Sequence, residues 1–384
     1  GGEAAGAAGD VTRGRAATAT ALVPGQGWAA LRSGPRISPH APMPRLELLL
    51  VAALTLAALG GCSSVRTLRE LPRTESHALP ADDSTALAGL LREVAPPEGS
   101  SFLVLDRGDD AFDVRLALAT AADRSIDVQY YLWHEDVTGS LLLERLREAA
   151  DRGVRVRVLI DDLQLEGGDV GALALDRHPD FELRVFNPNL DRSALGVWWD
   201  LATDLSRLDH RMHNKQFVVD GQVAVTGGRN VGDEYFGLGE EFDFRDLELL
   251  AVGPIVDELE SSFDAFWNSP FSVPIEALVH PDEDVHAHEH RRELLRSRHA
   301  GDPRIVRRHA LERADWLDVL RPVLERLVPG EARVVRDEIH VADGQAPTQM
   351  AEAIAELELD PEREMLLVTA YLVPDEGMLE RIRA

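Results

Sequence analysis

The sequence predicts an α/β fold, a sandwich in which helices cover a buried sheet, and three observations carry that expectation. Ser125–Trp133 (SIDVQYYLW) is rich in β-formers and bounded by polar residues, so it reads as a strand. Thr138–Asp151 has a helical apolar period and ends at Gly153, a residue suited to closing a helix in the left-handed conformation. Val154–Ile160 (VRVRVLI) is nearly continuous in β-branched character. Strand, helix and strand within about 35 residues form a βαβ unit, which requires parallel pairing and a sheet buried on both faces.

The remaining elements follow in chain order. Residues 1–42, rich in Gly, Ala, Arg and Pro, show no sustained apolar period and read as disordered or upstream non-native sequence. Met43 opens a basic start at Arg45 and an apolar run, Leu48–Leu59, too short for the roughly 20 residues a membrane span needs. Its length suits the apolar core of a secretory signal over residues 43–61. Leu59-Gly60-Gly61-Cys62 resembles the bacterial lipoprotein cleavage box, which implies lipidation at Cys62 and a tether over residues 62–81. Ser63 after the cysteine resembles the outer-membrane sorting pattern.

From Asp82 the sequence turns globular. Asp83-Ser84-Thr85 precedes a short helix over Ala86–Val94, and a second helix covers Ala111–Ala122. After the βαβ unit, Glu182–Phe186 is a further strand. Arg211–Val225 reads as two strands joined at the hairpin dipeptide Asp220-Gly221. Phe242–Val252 reads as another strand. Ile255–Asn268 is a helix with Phe263, Phe266 and Trp267 on one face. These elements define a domain over residues 82–270. Residues 271–360 read as an insertion or linker, within which Val285–Arg308 lacks an apolar period. His286, His288 and His290 sit at a spacing that suits no metal box, so no metal is expected. Leu366–Pro374 (LLVTAYLVP) repeats the pattern of Ile126–His134, with Tyr371 opposite Tyr131. Residues 361–384 therefore read as the start of a second, similar half.

Composition limits the function. The chain of 384 residues, 45% hydrophobic, can bury a sizeable core, and its formal charge of −27 argues against a general nucleic-acid binder. A single cysteine excludes an internal disulfide and cysteine-rich zinc sites.

One constellation carries chemistry: His213, Lys215 and Asp220, then Gly227-Gly228-Arg229-Asn230, then Asp246. On a strand, His213 and Lys215 would face one side, since side chains alternate. Imidazole titrates near neutrality and serves as nucleophile or proton donor. A neighbouring ammonium holds non-bridging phosphate oxygens and offsets charge at a five-coordinate phosphorus. The glycine loop with Gly228 brings backbone donors and the Asn230 amide to the same phosphate, and Asp246 could orient the imidazole. Trp198 and Trp199 read as a core pair or a lip that dips into membrane.

H-x-K-x-x-x-x-D followed by G-G-x-N resembles the signature of the phospholipase D superfamily. DVQYYLWHEDVTG, ADRGVRVRVLIDD, RMHNKQFVVDG and GGRNVGDEYF resemble its bacterial cardiolipin-synthase-like branch. The resemblance implies two α/β halves, each giving one such motif to a shared metal-free and cofactor-free site. One histidine attacks phosphorus to form a phosphohistidine, and the other protonates the leaving alcohol. It implies that His213, Lys215, Asp220 and Asp246 are catalytic, with Lys215, Gly228 and Asn230 on the phosphate, and that Asp220 bonds locally at the hairpin. Which histidine attacks stays open.

No second H-x-K-x-x-x-x-D occurs in the sequence. The Tyr131–His213 spacing, applied after Tyr371, runs past Ala384, so the first half is expected complete and the second only begun. The expected activity is phosphatidyl transfer on a phosphatidylglycerol-like phospholipid, dependent on the missing half. The alternatives are hydrolysis at the same site, or an inactive membrane-tethered phosphate binder. The expected location is the cell envelope, lipid-anchored on the periplasmic side, with the oligomeric state open.

Overall fold

The computed structural model describes residue 68 and residues 71–94, 98–162, 178–188, 211–278, 313–336 and 339. Cys62 and the apolar run before it, Trp198 and Trp199, the His286–His290 cluster and the repeat around Tyr371 lie outside the described residues.

The first strand, β1 (Ser101–Leu105), follows helix α1 (Ala86–Val94), whose first turn is capped by Thr85 Oγ1 accepting from Ala88 N at 3.1 Å. Helix α2 (Gly108–Ala121) leads to β2 (Ser125–Tyr130), α3 (Val137–Asp151) and β3 (Arg155–Asp161), and β2 pairs with β3 in parallel as the βαβ reading requires. Asp136 caps α3 through Gly139 N, and Gly153 at φ 88° turns the chain back into β3. β4 (Phe181–Phe186) extends the parallel set. Next come β5 (Gln216–Val219) and β6 (Val223–Gly227), an antiparallel hairpin whose turn places Asp220 at φ 54° and Gly221 at φ 66°. Positive φ at both turn positions gives the twist that two-residue hairpins favour. The remaining strands are β7 (Glu248–Val252), β8 (Ser272–Pro274) and β9 (Val328–Pro329), with α4 (Ile255–Trp267) and α5 (Arg313–Leu324) between them.

Among the described residues, one sheet runs in the order β8-β4-β3-β2-β5-β6-β7-β1-β9. Alternation divides each strand between two layers. Phe217, Val219, Val223 and Val225 join the core beneath α2, α3 and α5, while Val218 and Ala224 face Val256 and Leu259 of α4. Helices thus cover both faces, as the sandwich predicted.

The domain boundaries differ from the sequence reading in two places. Residues within 271–360, read as a linker, belong partly to this domain. β8 pairs with β4, β9 pairs with β1, and Trp316, Leu320 and Leu324 of α5 are buried in the main core. The 62–81 tether is, from Arg73 to Pro80, a clamped strap. The buried arginines of β3 and β4 donate to its carbonyls, Arg157 to Ser76 at 3.0 Å and Arg184 to Thr74, and Asp264 accepts from Ala78 N at 2.9 Å. A polar, proline-containing segment has no apolar period, yet its carbonyls take the N–H groups that Arg157 and Arg184 do not give to Asp127, Asp264, Glu182 and the Trp267 carbonyl.

Candidate active site

The parallel strands β2 and β3 end at the same edge of the sheet where β5 and β7 begin and β6 ends. The end of β3 carries Asp161 and loops leaving that edge carry Tyr131, His213, Lys215, Gly228, Asn230 and Asp246, so distant segments meet there by topology alone.

His213 and Lys215 are not on a strand, contrary to the sequence expectation, because β5 begins at Gln216. Residues before it are held by Asp161 at the end of β3, whose carboxylate accepts from Arg211 Nη1 at 2.9 Å and Met212 N at 3.0 Å. The expected juxtaposition is nonetheless present. Lys215 Nζ lies 3.3 Å from His213 Nδ1 and donates to the His213 carbonyl at 2.7 Å. Lys215 is buried, at 6% exposure, whereas His213 is exposed. Tyr131 closes one side, its ring centroid 4.4 Å from the imidazole and 5.4 Å from Lys215 Nζ.

Burial pushes the Lys215 ammonium down to about 8, with Asp246 opposing. Burial, and then the Lys215 charge, also lowers the His213 imidazole. The first shift brings the Lys215 ammonium toward neutral pH, and the second favours the neutral form of the imidazole.

Asp246 precedes β7 instead of lying within a strand. Phe242–Leu247, read as its first half, joins no ladder among the described residues, because the β6–β7 pairing ends at Gly227 and Glu248; its backbone instead makes single bonds, Phe244 N to Glu234 O at 2.7 Å and Gly228 N to Leu247 O at 3.2 Å. Phe242 and Phe244 stay exposed. The Asp246 carboxylate packs against Gly228, where a Cβ would collide with it, and its charge acts on Lys215. No hydrogen bond joins it to the imidazole among the described residues, so the expected orienting contact is not made. Asn230 is in place but engaged: Oδ1 accepts from Leu132 N and Nδ2 donates to the Tyr235 hydroxyl, each at 3.1 Å.

Asp220 makes the local hairpin bonds expected of it and lies away from the other site residues. It sits at the far end of β5 from Lys215. Its buried carboxylate accepts from the backbone N–H groups of Asp123, Arg124 and Ser125 at 3.0, 2.8 and 3.0 Å.

Residues that sequence reasoning missed support the site from below. Glu248 pairs with Arg115 and, at 3.4 Å, with Arg229, all buried. Arg229 Nη1 donates to Leu105 O and Nη2 to Asp106 O, at 2.9 and 2.8 Å. Tyr131 was visible as a strand and repeat position, with no role assigned. Arg229 lay in plain view inside the glycine loop. Beside the site, His134, Asp136 and Glu234 bring ligand atoms within 4.8 Å of one another, a group able to hold a cation that no spacing motif signals. Two of those atoms already pair, His134 Nδ1 with Glu234 at 3.2 Å, and Asp136 is committed to capping α3.

Residues 116–267 match the family described as cardiolipin synthase, PLD-like domain. The chain is 36% identical over 274 residues to cardiolipin synthase C of Escherichia coli K12, covering 70% of this chain and 57% of that protein. It is 33% identical over 163 residues to a cardiolipin synthase of Staphylococcus aureus, covering 42% of this chain and 31% of the other. Among solved structures, the phospholipase D family member Nuc from Salmonella typhimurium is similar at 15% identity and a TM-score of 0.33, over 46% of this chain and 97% of Nuc. The chain thus spans little more than half the length of the first relative and about a third of the second.

Proposed function

The chain belongs to the phospholipase D superfamily, on its cardiolipin-synthase-like branch, and from that premise we propose that His213 and Lys215 form half of a centre that transfers a phosphatidyl group between lipid alcohols. The observation that carries the reading is the exposed imidazole held against a buried ammonium, Nδ1 to Nζ at 3.3 Å, at the open edge of the sheet. Lys215 and Asn230 Nδ2 supply donors for the non-bridging oxygens, whereas Gly228 N is already given to the Leu247 carbonyl at 3.2 Å.

An ammonium can only donate, so a protonated Lys215 makes Nδ1 the acceptor and leaves the proton of a neutral ring on Nε2. That form offers an Nε2–H hydrogen bond but no Nε2 lone pair for attack. For attack, the incoming phosphate draws Lys215 off Nδ1, and the ring proton moves to Nδ1 with Asp246 to hold it. The Nε2 lone pair then bonds to phosphorus as the bond to the departing glycerol oxygen breaks. That oxygen takes a proton from the histidine of a second motif, in another lobe or another copy. The same histidine then removes the proton of the acceptor hydroxyl, whose oxygen displaces Nε2. Phosphatidylglycerol is the proposed donor and acceptor, by the chemistry of the cardiolipin synthases matched.

Hydrolysis, with water as acceptor, uses the same atoms, and without the second histidine the site would only bind phosphate. The Leu59-Gly60-Gly61-Cys62 box supports a lipid anchor at Cys62 on the periplasmic side of the cell envelope. Loss of membrane association in Cys62→Ala tests that anchor.

Product analysis from pure phosphatidylglycerol vesicles, with the two-motif protein, decides the reaction. Cardiolipin with free glycerol supports transfer. Phosphatidic acid without cardiolipin replaces transfer with hydrolysis.

A further inference from the structure

A second site lies at the opposite edge of the sheet, near the beginnings of β2 and β3. A pocket of about 520 Å³ opens between α4 and the strap, and four carboxylates line it: Glu75, Asp257, Glu260 and Asp264. The His213 chemistry uses none of them.

Glu260 is the informative residue. It is 6% exposed, and its Oε1 is buried with no hydrogen-bond partner. Burying an unsatisfied carboxylate oxygen costs stability unless something completes it. None of the cations nearby bonds Oε1, although Arg155 Nε and Nη2 are likewise buried without a hydrogen-bond partner. Arg157 forks onto Asp127 at 2.7 Å and reaches Asp264 at 2.9 Å, and Arg155 Nη1 donates to the His77 carbonyl at 2.7 Å. His77 Nε2 meets Glu75 at 3.2 Å, and Arg336 stands on the lining as its one arginine.

The shape of the charge selects the ligand. A divalent ion needs ligand atoms that converge on a point, and among the described residues only His134, Asp136 and Glu234 converge within 4.8 Å. The pocket's carboxylates are spread along it, with the apolar surfaces of Ala78 and Ala265 on the same lining. Ammonium groups separated by methylenes match that pattern. We propose that this pocket binds an aliphatic polyamine, with one ammonium on Glu260, the others on the rim carboxylates, and the methylenes against Ala78 and Ala265.

The carboxyl of Glu260 is pushed up to about 8 by burial, then by Asp127, Asp257 and Asp264, with Arg157 opposing. At neutral pH it therefore holds a proton that a bound ammonium must displace, and affinity rises with pH. Glu75, His77, Arg155 and Arg336 also face this region, so the pH dependence has to be tested against a variant that alters Glu260 alone.

The test is calorimetric titration of spermidine into the whole chain at low salt, at pH 6 and pH 8. The proposal expects one saturable site, tightened at least about tenfold across that range. Glu260→Gln keeps the shape and removes the charge, so it should fold, as a thermal melt checks. It should bind at least about tenfold more weakly at pH 8 and lose most of the pH dependence. Glu241→Gln, on an exposed loop, removes the same charge and should bind as wild type does. Absence of saturable binding would overturn the proposal. So would equal affinity in Glu260→Gln, an equal loss in Glu241→Gln, or magnesium occupying the site as tightly as spermidine.

Discussion

Lys215 Nζ donates to the carbonyl of His213 at 2.7 Å while standing 3.3 Å from that residue's Nδ1. One ammonium thus fixes the backbone and the ring of its partner together. A phosphate entering the site competes for the same ammonium, so binding and the state of the imidazole are coupled.

That coupling has a pH signature. Lys215 is displaced downward to about 8, chiefly by burial, so phosphate affinity should fall about tenfold per unit as pH rises above that value. Titration of glycerol phosphate followed by imidazole NMR checks it. Lys215→Arg should move the fall beyond pH 10, because a guanidinium stays charged.

Asp220 predicts a separation of stability from binding. Asp220→Ala leaves three backbone donors at the start of β2 without their acceptor, and should cost about 2–4 kcal/mol in urea denaturation. The fraction that remains folded should bind glycerol phosphate as wild type does. A matching loss of phosphate affinity would return Asp220 to the site.

Gly228 predicts the converse. A methyl group there displaces the Asp246 carboxylate while the ladder beneath it stays intact. Gly228→Ala in the two-motif enzyme should lower kcat about 10²-fold and shift the melting temperature little. Unchanged turnover would remove Asp246 from the mechanism.

The acidic pair beside the site has its own pH dependence. Burial first, and then Asp136, raise the Asp233 carboxyl to about 6, above the roughly 3.9 of an unfolded chain. A raised acid favours folding below the unfolded value and loses that contribution as pH climbs through about 6. Asp233→Asn should therefore melt higher than wild type at pH 7, with the two converging near pH 4. Its side-chain oxygen still accepts from Thr138 N.

The βαβ unit was legible because its signals are local. Val154–Ile160 is continuously apolar or β-branched on the buried side, and Gly153 closes the helix before it. What the sequence hid depends on distant partners. Phe242–Leu247 alternates with the right period, but no register says that β6 stops at Gly227. The H-x-K-x-x-x-x-D spacing does not reveal that a four-residue strand carries Asp220 to the opposite edge, about 17 Å from Lys215 at normal strand rise. The strap over Arg73–Pro80 owes its order to arginines far along the chain, which no local pattern announces. Tyr131 showed its β-propensity and nothing of the ring it stacks on.

The most direct measurement is the rate of product formation from phosphatidylglycerol vesicles by His213→Ala in the two-motif enzyme, beside its thermal melt. The imidazole is exposed and supports no core, so the melt should match wild type while turnover disappears. Turnover near the wild-type rate in a folded His213→Ala protein would contradict the account.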